Sequence, residues 1–294
     1  MGYLYLIMAK LASVGKMMAV KKCGNIASGA KNSVKINLLR SSGSLVIALI
    51  VCAFTGFQKM NGYGILFTIL SGCSQGIMLW SWILAASSAP MITVEVFCMI
   101  GGVVIPLIIS PIVLSAASVT LIQWIGALLL FGAMFCLSKR GGGKKITPKS
   151  IALMCIAGLA NAGSVMSQKF YMDFNGGTTA DFQLGTFIFT IAVLASILLI
   201  MQTFMKESST ENTSKITPRV MLFISIAFTM TYVAQFFSTE ASGSIEAAVL
   251  YPLSYVISMP LVFLVDVIFF KEKITVNNII GIILVTASGV LINL

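Results

Sequence analysis

Histidine is absent from the chain. With it go the commonest metal ligand and the side chain that most often moves protons near neutral pH. Charge is scarce: 10% of the 294 residues are charged, against about 25% in a soluble domain. The six cysteines (Cys23, Cys52, Cys73, Cys98, Cys136 and Cys155) form no C-x-x-C pair. Neither a zinc site nor a disulfide framework is indicated, and buried, inert thiols are the reading. There is no G-x-x-x-x-G-K-[ST] phosphate loop, no H-E-x-x-H helix and no G-x-S-x-G elbow. Gly141-Gly142-Gly143 reads as a flexible joint. The expectation is no cofactor, no metal and no enzymatic activity.

What the chain has is apolar length. Hydrophobic residues make up 58%, and mean hydropathy is +1.00. Ten apolar runs stand out: Gly2–Val20, Val34–Phe54, Gly62–Ala86, Met91–Leu114, Leu121–Leu137, Ile151–Met172, Phe182–Met205, Val220–Phe237, Ala247–Phe270 and Asn277–Leu294. A membrane-spanning helix takes roughly 20 residues, so ten spans leave room only for short connections. The runs are continuously apolar, whereas barrel strands alternate. The fold class expected is therefore all-α integral membrane, with ten transmembrane helices. Met1–Val20 is read as the first span and not as a signal peptide, because Lys21 and Lys22 follow it where a signal carries its charge first.

The runs fall into five plus five. Ile125-Gly126-Ala127-Leu128-Leu129 is echoed 155 residues later by Ile280-Gly281-Ile282-Ile283-Leu284, and Pro106-Leu107 by Pro260-Leu261. An odd number of spans per half reverses the second half in the membrane, which is the signature of an inverted-repeat transporter. The halves are residues 1–140 and 151–294, joined by a cytosolic linker at 141–150.

The net charge of +10 is a matter of orientation and not of nucleic-acid binding. Fifteen Lys and Arg residues lie on the side of the connections after spans 1, 5, 7 and 9, among them Lys21, Lys22, Lys139, Arg140, Lys215 and Lys271; the opposite side has only Lys59. Positive loops face the cytosol. Both termini are thus predicted outside, in a multi-pass protein of the cytoplasmic (plasma) membrane whose partners are the bilayer and a small-molecule substrate. A homodimer is left open. A local phrase recurs on the cytosolic side, in Ile146-Thr147-Pro148, Ile216-Thr217-Pro218 and Ile274-Thr275. Thr before Pro suits a helix N-cap followed by a first residue that needs no N–H partner.

The last 45 residues carry a resemblance. Tyr251-Pro252, Pro260, Phe269-Phe270-Lys271-Glu272-Lys273-Ile274-Thr275, Ile280-Gly281 and Ser288-Gly289-Val290 resemble the closing segment of an EamA-like domain of the drug/metabolite transporter superfamily. Leu39-Arg40 is similar to that family's pattern in the second span. Glu272 stands where the family often has a Glu before its last helix, while Ala117 holds the corresponding place in the first half. The resemblance implies transport and names no cargo.

Polar residues inside the spans are the candidate site. A charge at mid-bilayer costs roughly 2.5–3.5 kcal/mol on insertion scales, so such residues face a cavity or one another. Lys10 and Lys16, six residues apart, lie on different faces of span 1. Lys10 sits near mid-depth, and Lys16 can snorkel. Glu95, early in span 4, can pair with Lys16 or Arg40; with no histidine it is also the proton-coupling candidate. Asp266 is within reach of Lys271, and Lys169 is spaced i,i+4 from Asp173. Gln75 and Gln235, with Gln123, Gln168 and Gln183, suit interhelical hydrogen bonds. Tyr232, Tyr251 and Tyr255 can line a cavity, the last two from one helix face, and Pro106, Pro111, Pro252 and Pro260 can loosen the helices around it. The substrate-binding candidates are therefore Lys10, Lys16, Glu95, Gln75, Tyr232, Gln235, Tyr251 and Tyr255. The function expected is secondary transport of a small polar or amphipathic metabolite or drug by alternating access. The alternatives are a non-transporting membrane scaffold, which a dry and fully paired interior favours, and an integral-membrane enzyme.

Overall fold

Each of the ten apolar runs forms an α-helix in the computed structural model, which describes residues 1–26, 30–88, 91–114, 119–138, 147–204, 217–270 and 276–292. The helices are α1 (Gly2–Ile26), α2 (Ala30–Thr55), α3 (Gly62–Ser88), α4 (Met91–Leu114), α5 (Leu121–Ser138), α6 (Pro148–Asp173), α7 (Thr179–Phe204), α8 (Pro218–Ser244), α9 (Ala247–Phe270) and α10 (Val276–Ile292). No strand occurs among the described residues. Seven helices are long and apolar enough to cross a membrane; α4, α5 and α10 carry shorter apolar stretches.

Several helices outrun the hydropathy that announced them. Lys22 lies inside α1, and Lys31 lies inside α2. An interrupted helix would leave backbone groups unbonded, so the helix continues after the side chains turn polar. For the same reason α8 runs on through Ser238–Ser244. The Thr-Pro phrases act as expected: Thr147 accepts from the Ser150 N–H and Thr217 from the Val220 N–H, each with proline at the first turn. The third phrase, at Ile274-Thr275, falls outside the described residues.

Side chains are distributed inside out relative to a water-soluble protein. Ile7, Leu11, Val46, Leu49, Leu128, Leu199 and Ile283 are exposed, while Ser41, Ser71, Ser81, Ser167, Gln183, Thr190 and Ser242 are buried. Lipid is as apolar as leucine, so burying large aliphatic residues brings little; close contact and hydrogen bonds between helices hold the bundle. Thr190 Oγ1 donates to the Gly72 carbonyl at 3.1 Å, Ser288 Oγ to the Gly126 carbonyl at 2.7 Å, and Ser44 Oγ to the Phe228 carbonyl at 2.9 Å.

Helices of the first five interleave with those of the last five. The most extensive contacts are α1 with α8, α3 with α6, and α5 with α10, followed by α4 with α6, α3 with α7, and α2 with both α7 and α8. Helix α9 packs on α1, α4 and α10. The α6–α7 turn uses Asn175 at φ 49 and Gly177 at φ 136. Asn61 clamps that turn to the start of α3. Its Nδ2 donates to the carbonyls of Phe174 (3.2 Å) and Asn175 (3.0 Å), and its Oδ1 accepts from the Gly64 N–H (2.6 Å).

Candidate functional site

At the middle of α6 stands one polar side chain among small neighbours, Asn161. Its Nδ2 donates to the Cys98 carbonyl of α4 at 2.8 Å and to the Tyr255 hydroxyl of α9 at 3.0 Å. A β-carbon added to Gly102 of α4 would collide with the Tyr255 hydroxyl and Asn161 Nδ2, so a glycine is needed there for the Tyr–Asn bond to form. From α1, Lys10 places Nζ 5.7 Å from the centre of the Tyr255 ring, within cation–π range. Lys10 has no hydrogen bond or ion pair among the described residues. Four helices thus meet at mid-length around an ammonium, a phenol and an amide. Tyr255 packs against two apolar clusters, one with Val103, Leu107 and Ala127 and one with Leu130 and Met259.

The other expected residues divide. Lys16 lies half-buried on α1 and is engaged in a contact of its own. Glu95 belongs to α4, but its side chain lies outside the described residues, as does that of Asp266 on α9. Tyr251 does not join Tyr255. It lies in an apolar cluster with Leu6, Met166, Phe170 and Leu250. Tyr232 packs with Ala48 and Phe187 between α2, α7 and α8, with an unpartnered hydroxyl. Gln75 on α3 is buried, and its Oε1 has no partner. The Gln235 carbonyl accepts from Gln183 Nε2 at 3.2 Å, while Gln235 Oε1 is unpartnered. Among the described residues, several interior polar groups are therefore left unpaired.

A second polar group closes the end of the bundle formed by the α6–α7 and α8–α9 turns. Buried Lys169 donates to Asp173 at 2.9 Å and to the Ser242 carbonyl at 2.8 Å, as the i,i+4 spacing led one to expect. Buried Asp181 accepts from the Gln58 N–H at 3.3 Å and from the Thr178 hydroxyl. Thr179 donates to Glu240, Gln183 Nε2 also donates to Thr239 (2.7 Å), and Ser238 donates to Gln168 (3.1 Å). Here the glutamines make the interhelical bonds expected of them. An apolar groove of about 600 Å³ between α9 and α10 is lined by Leu253, Val256, Pro260, Val285, Thr286, Gly289 and Val290; the Thr286 hydroxyl donates to the Ile282 carbonyl of its own helix at 3.0 Å, and none of the candidate residues above lines the groove.

Sequence reasoning missed Asn161. The available signal was an amide alone in an apolar run, flanked by Gly158, Ala160, Ala162 and Gly163. The Gly101-Gly102 pair reads from the sequence as a place of close helix contact; that Gly102 makes room for Tyr255 and Asn161 does not.

A family model, that of the EamA-like transporter family, matches residues 148–294. Among solved structures, one described as "Crystal structure of protein" superposes with a TM-score of 0.75 at 14% identity, covering 99% of this chain and 95% of that chain. At that identity the likeness shows the fold alone. No curated protein matches.

Proposed function

We propose, from the premise that this chain belongs to the EamA-like transporter family, that it is a secondary transporter whose cargo binds at Lys10, Tyr255 and Asn161. One observation carries the reading: an ammonium held at mid-bundle with a ring and no counter-charge among the described residues. Intramembrane charge of that kind marks transport paths. The site also draws on α1 and α4 from the first five helices and α6 and α9 from the last five. Transporters built from repeats bind cargo at such a seam and expose it alternately by rocking one half against the other.

An inverted repeat is supported by the pattern of contacts. Replacing each helix by the one five places along turns α1 with α8 into α3 with α6, α2 with α8 into α3 with α7, and α4 with α6 into α1 with α9. The pairs α5 with α10 and α2 with α7 map onto themselves. The halves are residues 1–140 and 151–294. The Lys and Arg distribution supports both termini outside, in the cytoplasmic membrane. The bonded group around Lys169 and Asp181 would then lie on the outer side, as a closed outer gate. Glu95 on α4 is the proton-coupling candidate; E95Q should remove pH-dependent uptake and leave exchange.

The test is transport by purified protein in liposomes preloaded with a metabolite extract, with exchange read by mass spectrometry under proton and sodium gradients. Solutes moved by the wild type and not by N161A support the site. Movement of no solute under any gradient retires the transporter reading, and full activity in N161A retires the site.

A further inference from the structure

The cargo's chemistry can be read from charge balance around Lys10, given the site just proposed. All four acidic residues whose side chains the structure describes, Asp173, Asp181, Glu240 and Glu246, lie at the end closed by the α6–α7 and α8–α9 turns. None of them bonds to Lys10. Asn161 has already committed its amide donors to Cys98 and Tyr255. The ammonium thus has bonding capacity left, and it carries a single charge. Arg40 repeats the imbalance on α2: it is 5% exposed, and its Nε bonds to nothing. Cationic groups therefore stand deep in the bundle without described counter-charges, while the described carboxylates stand apart.

An unpaired ammonium in a medium of low dielectric is costly, and a ligand that neutralises it recovers that cost as binding energy. A dianion such as a phosphate monoester would bring a second charge that Lys10 cannot balance. Lys16, the other cation of α1, is already engaged. The other neighbours of the ring are apolar: Val103, Leu107 and Met259 pack with Tyr255. We infer that the cargo is an organic monocarboxylate with an apolar body, its carboxylate bonded to Lys10 Nζ and its body laid against the Tyr255 face.

The experiment uses the full-length protein in detergent. Thermal unfolding and calorimetric titration are run with aliphatic and aryl monocarboxylates of graded length. Each is paired with its primary amide and with the amine of the same skeleton. Carboxylates should stabilise the wild type by mass action, and amides and amines should not. K10R should keep binding. K10M should weaken it by about tenfold or more, as loss of a charge-assisted bond implies, while its ligand-free unfolding temperature stays equal or rises. Stabilisation by amides or amines, by carboxylates equally in wild type and K10M, or by no member of the series overturns the assignment. N161A separates the two levels. Amides or amines that bind the wild type but not N161A leave the site standing and remove the anion; ligands indifferent to both K10M and N161A remove the site itself.

Discussion

Gly101 of α4 and Gly158 of α6 meet backbone to backbone. A β-carbon on Gly101 would run into the Gly158 carbonyl, and one on Gly158 into the Phe97 carbonyl. The contact sits beside the Asn161–Cys98 bond, so the distance between these two helices fixes where Asn161 points. Replacing either glycine by valine should separate the helices and cost about 1–3 kcal/mol, the range for overpacking. The thermal midpoint in detergent reads the loss. G62A is the control, since a β-carbon there meets nothing within 4 Å; it should leave the midpoint in place.

Lys169 and Asp173 are unequal partners. The Lys169 side chain is 8% exposed and that of Asp173 28%. Removing the carboxylate leaves Lys169 its bond to the Ser242 carbonyl, so D173N should cost less than about 1 kcal/mol, like other partly solvated pairs. K169M strands both acceptors and should cost about 1–3 kcal/mol. Equal losses in a double-mutant cycle would show that the ion pair within α6, and not the bond to the α8 carbonyl, carries the stabilisation.

The caps at Thr147 and Thr217 each satisfy one free N–H at a helix start. T217A should destabilise by about 1 kcal/mol, and T217S should restore most of it, because serine keeps the oxygen. Chemical denaturation of the two variants side by side measures the difference.

Asp181 ties the segment between α2 and α3 to the start of α7 through the Gln58 N–H and the Thr178 hydroxyl. Both donate to the same carboxylate oxygen, Oδ2, and the neutral amide oxygen of an asparagine accepts more weakly than a charged carboxylate. D181N should therefore speed amide exchange at Gln58 while leaving the middle of α7 protected. Hydrogen exchange read by mass spectrometry shows this directly, and unchanged exchange at Gln58 would mean the segment is held by other contacts.

Properties set within one helix could be read from the sequence, and properties set between helices could not. The ten helices, the Thr-Pro starts and the Lys169–Asp173 pair all depend on neighbours within about four residues. Tyr251 and Tyr255 share a helix stripe as the i,i+4 rule requires, yet one meets Leu6 and Phe170 and the other meets Lys10 and Asn161. One turn rises about 5.4 Å, enough to change every neighbour. Periodicity gives a face but not what the face touches. Asn161 and Tyr255 are 94 residues apart in sequence, and nothing local to either announces the other.

The pairing of α1 with α8 also sets an order in time. Helix α1 is complete at Ile26, and its main partner begins at Pro218. At about 5–20 residues per second, α1 waits on the order of ten seconds or more in the bilayer or its insertion machinery before α8 exists. Through that interval Lys10 has neither Tyr255 nor any ligand beside it. Lys10 is, while the chain is being made, the hardest part of its first helix to leave in lipid.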